Sequence, residues 1–107
     1  MIQVIDGKRY NTETATLIFE YWNGHMQSDF KHRTKSLYLT PKGSWFIHHV
    51  GGALTDMAQS IGNSSHGSAC VEAITADDAY GFLESHSDEP EALASMNKHF
   101  ADKIVDA

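Results

Sequence analysis

The chain has few of the residues on which several classes of protein depend. Its 107 residues include one cysteine, Cys70, and two prolines. A single cysteine cannot form an internal disulfide, and a chain of this length can bury a core without one, so a cytoplasmic location is the simpler expectation. No apolar run approaches the roughly 20 residues that span a bilayer, and no basic leader precedes an apolar run at the N-terminus. Neither a membrane span nor a signal peptide is therefore predicted.

Motifs for metals and nucleotides are also missing. The seven histidines lack the close spacing of zinc ligands, and the adjacent His48 and His49 would point to opposite faces of a strand. There is no phosphate-binding loop of the Gly-x-x-x-x-Gly-Lys type, although Gly51-Gly52 ahead of a predicted helix leaves backbone N–H groups for an anion. The sequence thus predicts no metal and no cofactor, with the Gly51-Gly52 turn and the 63–68 loop as alternative small-ligand sites.

An enzymatic reading depends on very few residues. Cys70 with His66 or His49 is the one conceivable nucleophile and base pair, but Cys70 begins a predicted buried strand, where free cysteine behaves as a small hydrophobe. The serines near His66 do not form a Gly-x-Ser-x-Gly elbow. No catalytic residues are assigned, and the protein is predicted not to be an enzyme.

Charge is distributed unevenly along the chain. Residues 1–50 contain six Lys or Arg and four acids, a net charge of +2, whereas residues 51–107 contain two Lys and ten acids, a net charge of −8. An acidic surface repels nucleic acid and attracts basic protein grooves. The alternative is a solvated acidic face that only keeps the protein soluble. The predicted partner-binding residues are Asp77, Asp78, Glu84, Asp88, Glu89 and Glu91.

A second cluster mixes bases with aromatic residues and suggests nucleic-acid binding. Bases on neighbouring strands can contact phosphates while an aromatic ring stacks on a nucleobase. The alternative is a solvated sheet face whose aromatics lie in the core. The residues of this alternative site are Lys31, Arg33, Lys35, Lys42 and Trp45.

The predicted fold is organised around a β-hairpin. Strand-forming residues before and after Thr40-Pro-Lys-Gly43 predict strands at 32–40 and 44–50, with Pro41 at the first central turn position and Gly43 at positive φ. A strand at 16–22, preceded by a helical turn at 11–15, completes an antiparallel meander, although 16–22 also fits a helical face.

Other elements surround this meander. Strands are predicted at 2–5, 8–10 and 69–74, with Asp6-Gly7 as a turn and 63–68 as a loop. Apolar spacing predicts helices near 53–61, 76–86 and 90–105, the second capped by Thr75 and Asp78. Leu93, Met96, Phe100 and Ile104 form the apolar stripe of the last helix. If that helix stayed undocked, the stripe would be a homodimer or partner surface.

Three segments carry a resemblance to a known family. Residues 6–15, 36–47 and 51–53 read Asp-Gly-Lys-Arg-Tyr-Asn-Thr-Glu-Thr-Ala, Ser-Leu-Tyr-Leu-Thr-Pro-Lys-Gly-Ser-Trp-Phe-Ile and Gly-Gly-Ala. The chain resembles a family of small bacterial proteins carried on plasmids, prophages and integrative elements, over roughly residues 5–85. The resemblance supplies no catalytic residues. It implies an anti-defence role, because small acidic proteins of mobile elements often inhibit CRISPR effectors or restriction enzymes.

The sequence therefore predicts one α+β domain with an antiparallel sheet of three to four strands and about three helices. The leading hypothesis is a non-enzymatic acidic protein that inhibits a host nucleic-acid-handling defence complex by protein–protein interaction. A small nucleic-acid-binding accessory protein that uses the hairpin at 31–45 is the alternative.

Overall fold

The fold is given by a computed structural model that describes residues 1–26, 30–52, 57, 59–61, 64–66 and 68–104. Within these residues, neither α-helix is long and apolar enough to cross a membrane. The strands are β1 (Ile2–Ile5), β2 (Lys8–Asn11), β3 (Thr16–Trp22), β4 (Arg33–Leu39), β5 (Trp45–Gly51), β6 (Gln59–Ile61), β7 (Ser64–His66) and β8 (Ser68–Ile74). The helices are α1 (Ala76–Glu84), α2 (Pro90–His99) and a 3-10 helix (Ala101–Lys103).

The strands form one main sheet and two small ribbons. The main sheet has four antiparallel strands in the order β3-β4-β5-β8, while β1 pairs with β2 and β6 pairs with β7. The α+β class and the antiparallel meander predicted at 16–22, 32–40 and 44–50 are confirmed, and 16–22 is a strand rather than a helix.

The turn of the central hairpin follows from its sequence. The Gly43 N–H donates to the Thr40 carbonyl at 2.9 Å, and the Thr40 N–H donates to the Ser44 carbonyl at 2.8 Å. Gly43 has φ 88°, in the left-handed region that glycine enters without steric cost. The predicted role of Gly43 is confirmed.

The main sheet is buried on both faces. Cross-strand partners share a face, so Leu37 and Ile47 lie together with Phe19 on the side we call the helix face. The core on this face consists of Phe19, Leu37, Trp45, Ile47, Ala79, Leu83, Ala92, Met96 and Phe100. On the opposite side, the ribbon face, Phe46 packs with Tyr10 and Val71, and the Tyr10 and Phe46 rings meet edge-on at 5.5 Å. The β1–β2 ribbon therefore covers part of the ribbon face, and the helices cover the helix face.

Helix α1 begins at the predicted cap. Thr75 Oγ1 accepts from the Asp78 N–H at 3.1 Å, and the Asp78 carboxylate accepts from the Thr75 N–H at 3.4 Å, which satisfies two donors that a helix start leaves open. The capping box is confirmed. The helix ends at Glu84, two residues before the predicted end at 86.

Helix α2 is docked on the helix face. Met96 and Phe100 are buried in its core, and Ser95 Oγ donates to the Ile18 carbonyl at 3.0 Å. Leu93, predicted to belong to the apolar stripe, is 46% exposed, and the small Ala92 is buried instead. The side of α2 that packs on the sheet accommodates the methyl group of Ala92, while the larger Leu93 lies on the solvent side. Beyond His99 the chain continues as the 3-10 helix rather than as α-helix to 105.

Several local predictions were wrong. The helix predicted at 53–61 is not formed at Gln59–Ile61, which is strand β6. This strand pairs with Ser64–His66, which was predicted to be part of a loop. Residues 53–56 and 58 lie outside the described residues. Apolar spacing alone does not stabilise a short helix, and strand pairing with a neighbouring segment satisfies the same backbone groups. The turn predicted at 11–15 is present, because the Ala15 N–H donates to the Asn11 carbonyl at 3.1 Å. Within the described residues there are thus two α-helices, not three.

The docking of α2 predicts a difference between two neighbouring substitutions. Met96→Ala removes a buried side chain and leaves a cavity, and we expect it to lower the free energy of unfolding by about 2–5 kcal/mol. Leu93→Ala on the same helix is the matched control, and we expect a change within about 0.5 kcal/mol. Urea unfolding followed by circular dichroism measures both values. Equal effects of the two substitutions would contradict the docked position of α2.

Candidate functional site

All six predicted acidic residues are exposed on the helical layer. Three of them also act within the chain. The Lys103 Nζ donates to the Asp77 carboxylate at 3.0 Å, Asp78 caps α1, and a hydrogen bond with Glu84 raises the pKa of the Tyr80 hydroxyl. The structural roles of these three reduce their availability to a partner.

The other three acids lie together where α1 leads into α2. Asp88 and Glu89 occupy the connection, and Glu91 lies in the first turn of α2. None of the three carboxylates forms a hydrogen bond or an ion pair with another residue in the described part of the chain. We call Asp88, Glu89 and Glu91 the acidic connection. Their charges are exposed to solvent and to any partner.

The predicted nucleic-acid residues are not brought together. Trp45 is 8% exposed and packs on Phe100, with 5.3 Å between ring centroids, so its faces are not open to a nucleobase. Arg33 is 7% exposed. Lys31 precedes β4 and Lys42 lies in the turn after it, on the order of 20 Å apart for a strand of this length. Lys35 is half-buried on the helix face, opposite Tyr21.

Arg33 belongs to a polar chain that the sequence did not indicate and that runs from the buried Arg33 to the exposed Glu72. Its Nη2 donates to His49 Nδ1 at 2.8 Å, and His49 Nε2 lies 2.9 Å from the Glu72 carboxylate. An arginine can only donate, so His49 Nδ1 accepts and the imidazole proton is on Nε2, donated to Glu72. The three side chains link β4, β5 and β8 along a diagonal of the sheet, since the strand partners are Gly51 for Arg33, Cys70 for His49 and Ile47 for Glu72.

This chain bears directly on the Cys70 hypothesis. Cys70 and His49 are cross-strand partners in β8 and β5. Both ring nitrogens of His49 are already engaged, one by Arg33 and the other by Glu72, so neither is available to take a proton from the thiol. Of His66, the other predicted base, the backbone lies in β7. In the described part of the chain no group of three His, Cys, Asp or Glu side chains is placed to hold a metal ion.

A cavity of about 520 Å³ lies on the ribbon face. Its floor is a row of cross-strand partners, Glu20, Ser36 and His48. Ser36 Oγ donates to the Glu20 carboxylate at 2.9 Å, so the hydroxyl proton is directed to Glu20 and not to His48. Burial, followed by the charge of Glu20, raises the pKa of Tyr38 on the cavity wall. The arrangement holds a carboxylate and a neutral imidazole beside aromatic rings.

A second cavity, of about 590 Å³, lies between the turn of the β1–β2 ribbon and the turn of the central hairpin. Lys8, Arg9 and Lys42 line it, and only Lys42 belonged to the predicted basic set. Lys8 and Arg9 follow the Asp6-Gly7 turn, which the sequence predicts. The sequence does not predict that this ribbon packs beside the distant turn at 40–44. We call this cavity the basic groove.

The histidines predict how stability depends on pH. Burial lowers the pKa of His48 and of His99 in the folded protein. An unfolded histidine has a pKa of about 6.5, so below that value the unfolded state binds more protons. We expect the contribution of these residues to stability to be complete above about pH 6.5 and to be lost as the pH falls through their folded pKa values.

Urea unfolding between about pH 7.5 and about pH 5 measures this effect. His48→Asn and His99→Asn, tested separately and together, should reduce the fall in unfolding free energy across that range. An unchanged slope in the double variant would contradict the assignment.

Comparisons with protein-family models, with curated proteins and with solved structures found no match for this chain. The resemblance to proteins of mobile elements therefore stays a prediction.

Proposed function

We propose that the protein is a non-enzymatic binding protein that docks its acidic connection into a basic surface of a partner protein. The supporting observation is that Asp88, Glu89 and Glu91 are exposed at one end of the helical layer without a cation from the described residues. Following the resemblance, the partner class is a host defence complex that handles nucleic acid. The protein inhibits that complex by occupying the surface on which nucleic acid binds.

The electrostatics of the chain support this mode of binding. A net charge of −6 for the whole chain repels the phosphate backbone and attracts a basic groove over a distance of about a Debye length, roughly 8 Å at physiological salt. Carboxylates at an interface accelerate encounter and disfavour wrong partners more than they add affinity. The interaction should therefore weaken steeply as salt increases.

The helical layer suits such a role mechanically. Helices α1 and α2 are fixed on the sheet by Leu83, Met96 and Phe100, and α1 is capped at its start. The connection between them is consequently held at both ends, which limits the conformational entropy lost when it binds. A rigid row of acids can compete with phosphates for the same arginines and lysines.

The hydrogen bonds around Cys70 support the non-enzymatic part of the proposal. The one thiol among the described residues lies beside an imidazole whose two nitrogens are both occupied, by Arg33 and Glu72. The thiol therefore lacks a hydrogen bond to a free base nitrogen of His49, which covalent catalysis at this cysteine would use.

The proposal is tested by affinity capture from a bacterial lysate, with elution by salt steps and identification by mass spectrometry. We expect a nucleic-acid-handling complex to elute at moderate salt from the wild-type protein. The triple variant Asp88→Asn, Glu89→Gln and Glu91→Gln should capture it at least about tenfold less well, because charged contacts contribute about 1.5–3 kcal/mol each.

A matched control separates local contact from net charge. The triple variant Asp6→Asn, Glu13→Gln and Asp102→Asn removes the same number of exposed carboxylates elsewhere in the chain. It should keep binding and inhibition within about twofold, since distant exposed charges are screened by salt. Equal loss in both variants, or no loss in either, would refute binding through the acidic connection.

A further inference from the structure

We propose that the basic groove is a binding site for a phosphate group carried by a small ligand. It lies on the ribbon side of the sheet and is independent of the acidic connection, and it goes beyond the proposed function. The groove has a volume of about 590 Å³, within the range of about 300–1,000 Å³ typical of small-molecule sites. Its described lining consists of Gly7, Lys8, Arg9, Tyr10, Asn11, Thr14, Thr40, Pro41, Lys42 and Ser44.

The charges of the groove are unbalanced. Lys8, Arg9 and Lys42 are exposed, and none of them forms an ion pair with a carboxylate of the described residues. No acid is among the described lining residues, although Asp6 and Glu13 flank the lining in sequence. Three cations line one cavity that has no acid among its described lining residues, so the local potential is positive and favours a bound anion.

The residue types fit phosphate better than a generic anion. An arginine presents a planar fork of N–H donors that matches two phosphate oxygens, and each lysine adds a mobile ammonium. A phosphate monoester carries close to two negative charges at neutral pH, so it would offset most of the charge of the three cations.

Neutral donors complete the set. Thr40 Oγ1 accepts from the Ser44 N–H at 3.0 Å, which leaves its hydroxyl hydrogen to donate. Asn11 Oδ1 accepts from the Glu13 N–H at 2.9 Å, which fixes the amide and leaves its NH₂ group as a donor. Backbone contacts thus occupy the acceptor sides of both groups, and their donor sides suit phosphate oxygens.

The groove is also held in shape before any ligand binds. The ribbon turn has Asp6 at φ 51° and Gly7 at φ 77°, the conformation of a tight two-residue hairpin, and the facing turn is closed by the hydrogen bonds of Thr40. Tyr10 is buried against Phe46, which anchors β2 to the sheet. Little conformational entropy would be lost on binding at a site built from two such turns.

The volume argues for a small ligand rather than a nucleic-acid backbone. The groove provides three cations, so a bound nucleic acid would neutralise at most three phosphates here and would show a shallow salt dependence, with a log–log slope of about −2 to −3. A nucleoside monophosphate or a comparable phosphate monoester is small enough for the volume of the groove.

The test is a titration of the intact protein, labelled with ¹⁵N, with inorganic phosphate, adenosine monophosphate and a single-stranded oligonucleotide in separate arms at one ionic strength. The oligonucleotide arm is repeated at several salt concentrations. We expect saturable shifts of the backbone amides of residues 7–11 and 40–44 with the first two ligands. The paired variant Arg9→Ala and Lys42→Ala should weaken binding about tenfold or more. Arg9→Lys, which keeps the charge and loses the fork, should give an intermediate loss.

Two controls make the outcome decisive. Lys98→Ala removes an exposed cation of α2, and the neutralised acidic connection removes three acids, so both should retain phosphate binding within about twofold. Failure of partner capture together with intact phosphate binding would therefore refute the proposed function alone. No shift at the groove with either small ligand, or binding of the oligonucleotide alone with a salt slope steeper than about −3, would overturn the phosphate site.

Discussion

The structure depends on the burial of the central hairpin on both of its faces. Leu37 on β4 and Phe46 on β5 are both completely buried, one toward the helices and the other toward the β1–β2 ribbon. Successive residues of a strand point to opposite sides, so a single hairpin anchors two separate layers. Each fully buried side chain of this size contributes about 1.5–3 kcal/mol relative to exposure. Loss of the hairpin would release both layers at once, whereas loss of either layer would leave one face of the sheet bare.

The same constraint explains where the charged surfaces lie. The helices with their acids pack on one face of the sheet, and the ribbon with Lys8 and Arg9 packs on the other. The polar chain from Arg33 through His49 to Glu72 differs from these surfaces, because its members are hydrogen-bonded within the fold. The charged groups of this polar chain form hydrogen bonds within the fold. The charged groups of the acidic connection and the basic groove are exposed to solvent. This distinction, rather than the number of charged residues, identifies the candidate sites.

The sequence predicted features that local chemistry determines. The strand formers around Thr40-Pro-Lys-Gly43, the positive φ of Gly43 and the capping box of Thr75 depend on residues a few positions apart, and all three are observed. Features that depend on distant segments were missed. The sequence allowed Trp45 to lie either in the core or on a nucleic-acid-binding face, and its packing against Phe100 places it in the core. The apolar spacing of the last helix predicted a buried Leu93, whereas the packing of α2 buries Ala92 and exposes Leu93. The basic groove was invisible for the same reason, since its cations come from turns more than 30 residues apart in the sequence.

The two charged surfaces belong to different layers, the acidic connection to the helices on one face of the sheet and Lys8 and Arg9 of the basic groove to the ribbon on the other. Three carboxylates at the acidic connection and three cations in the basic groove are each left exposed instead of meeting in ion pairs. An exposed ion pair contributes at most about 1 kcal/mol, so little stability is lost by keeping the charges apart. The separation leaves two surfaces of opposite sign, for which we propose different ligands. We expect their dependence on salt to reflect the few charges that each surface contributes locally.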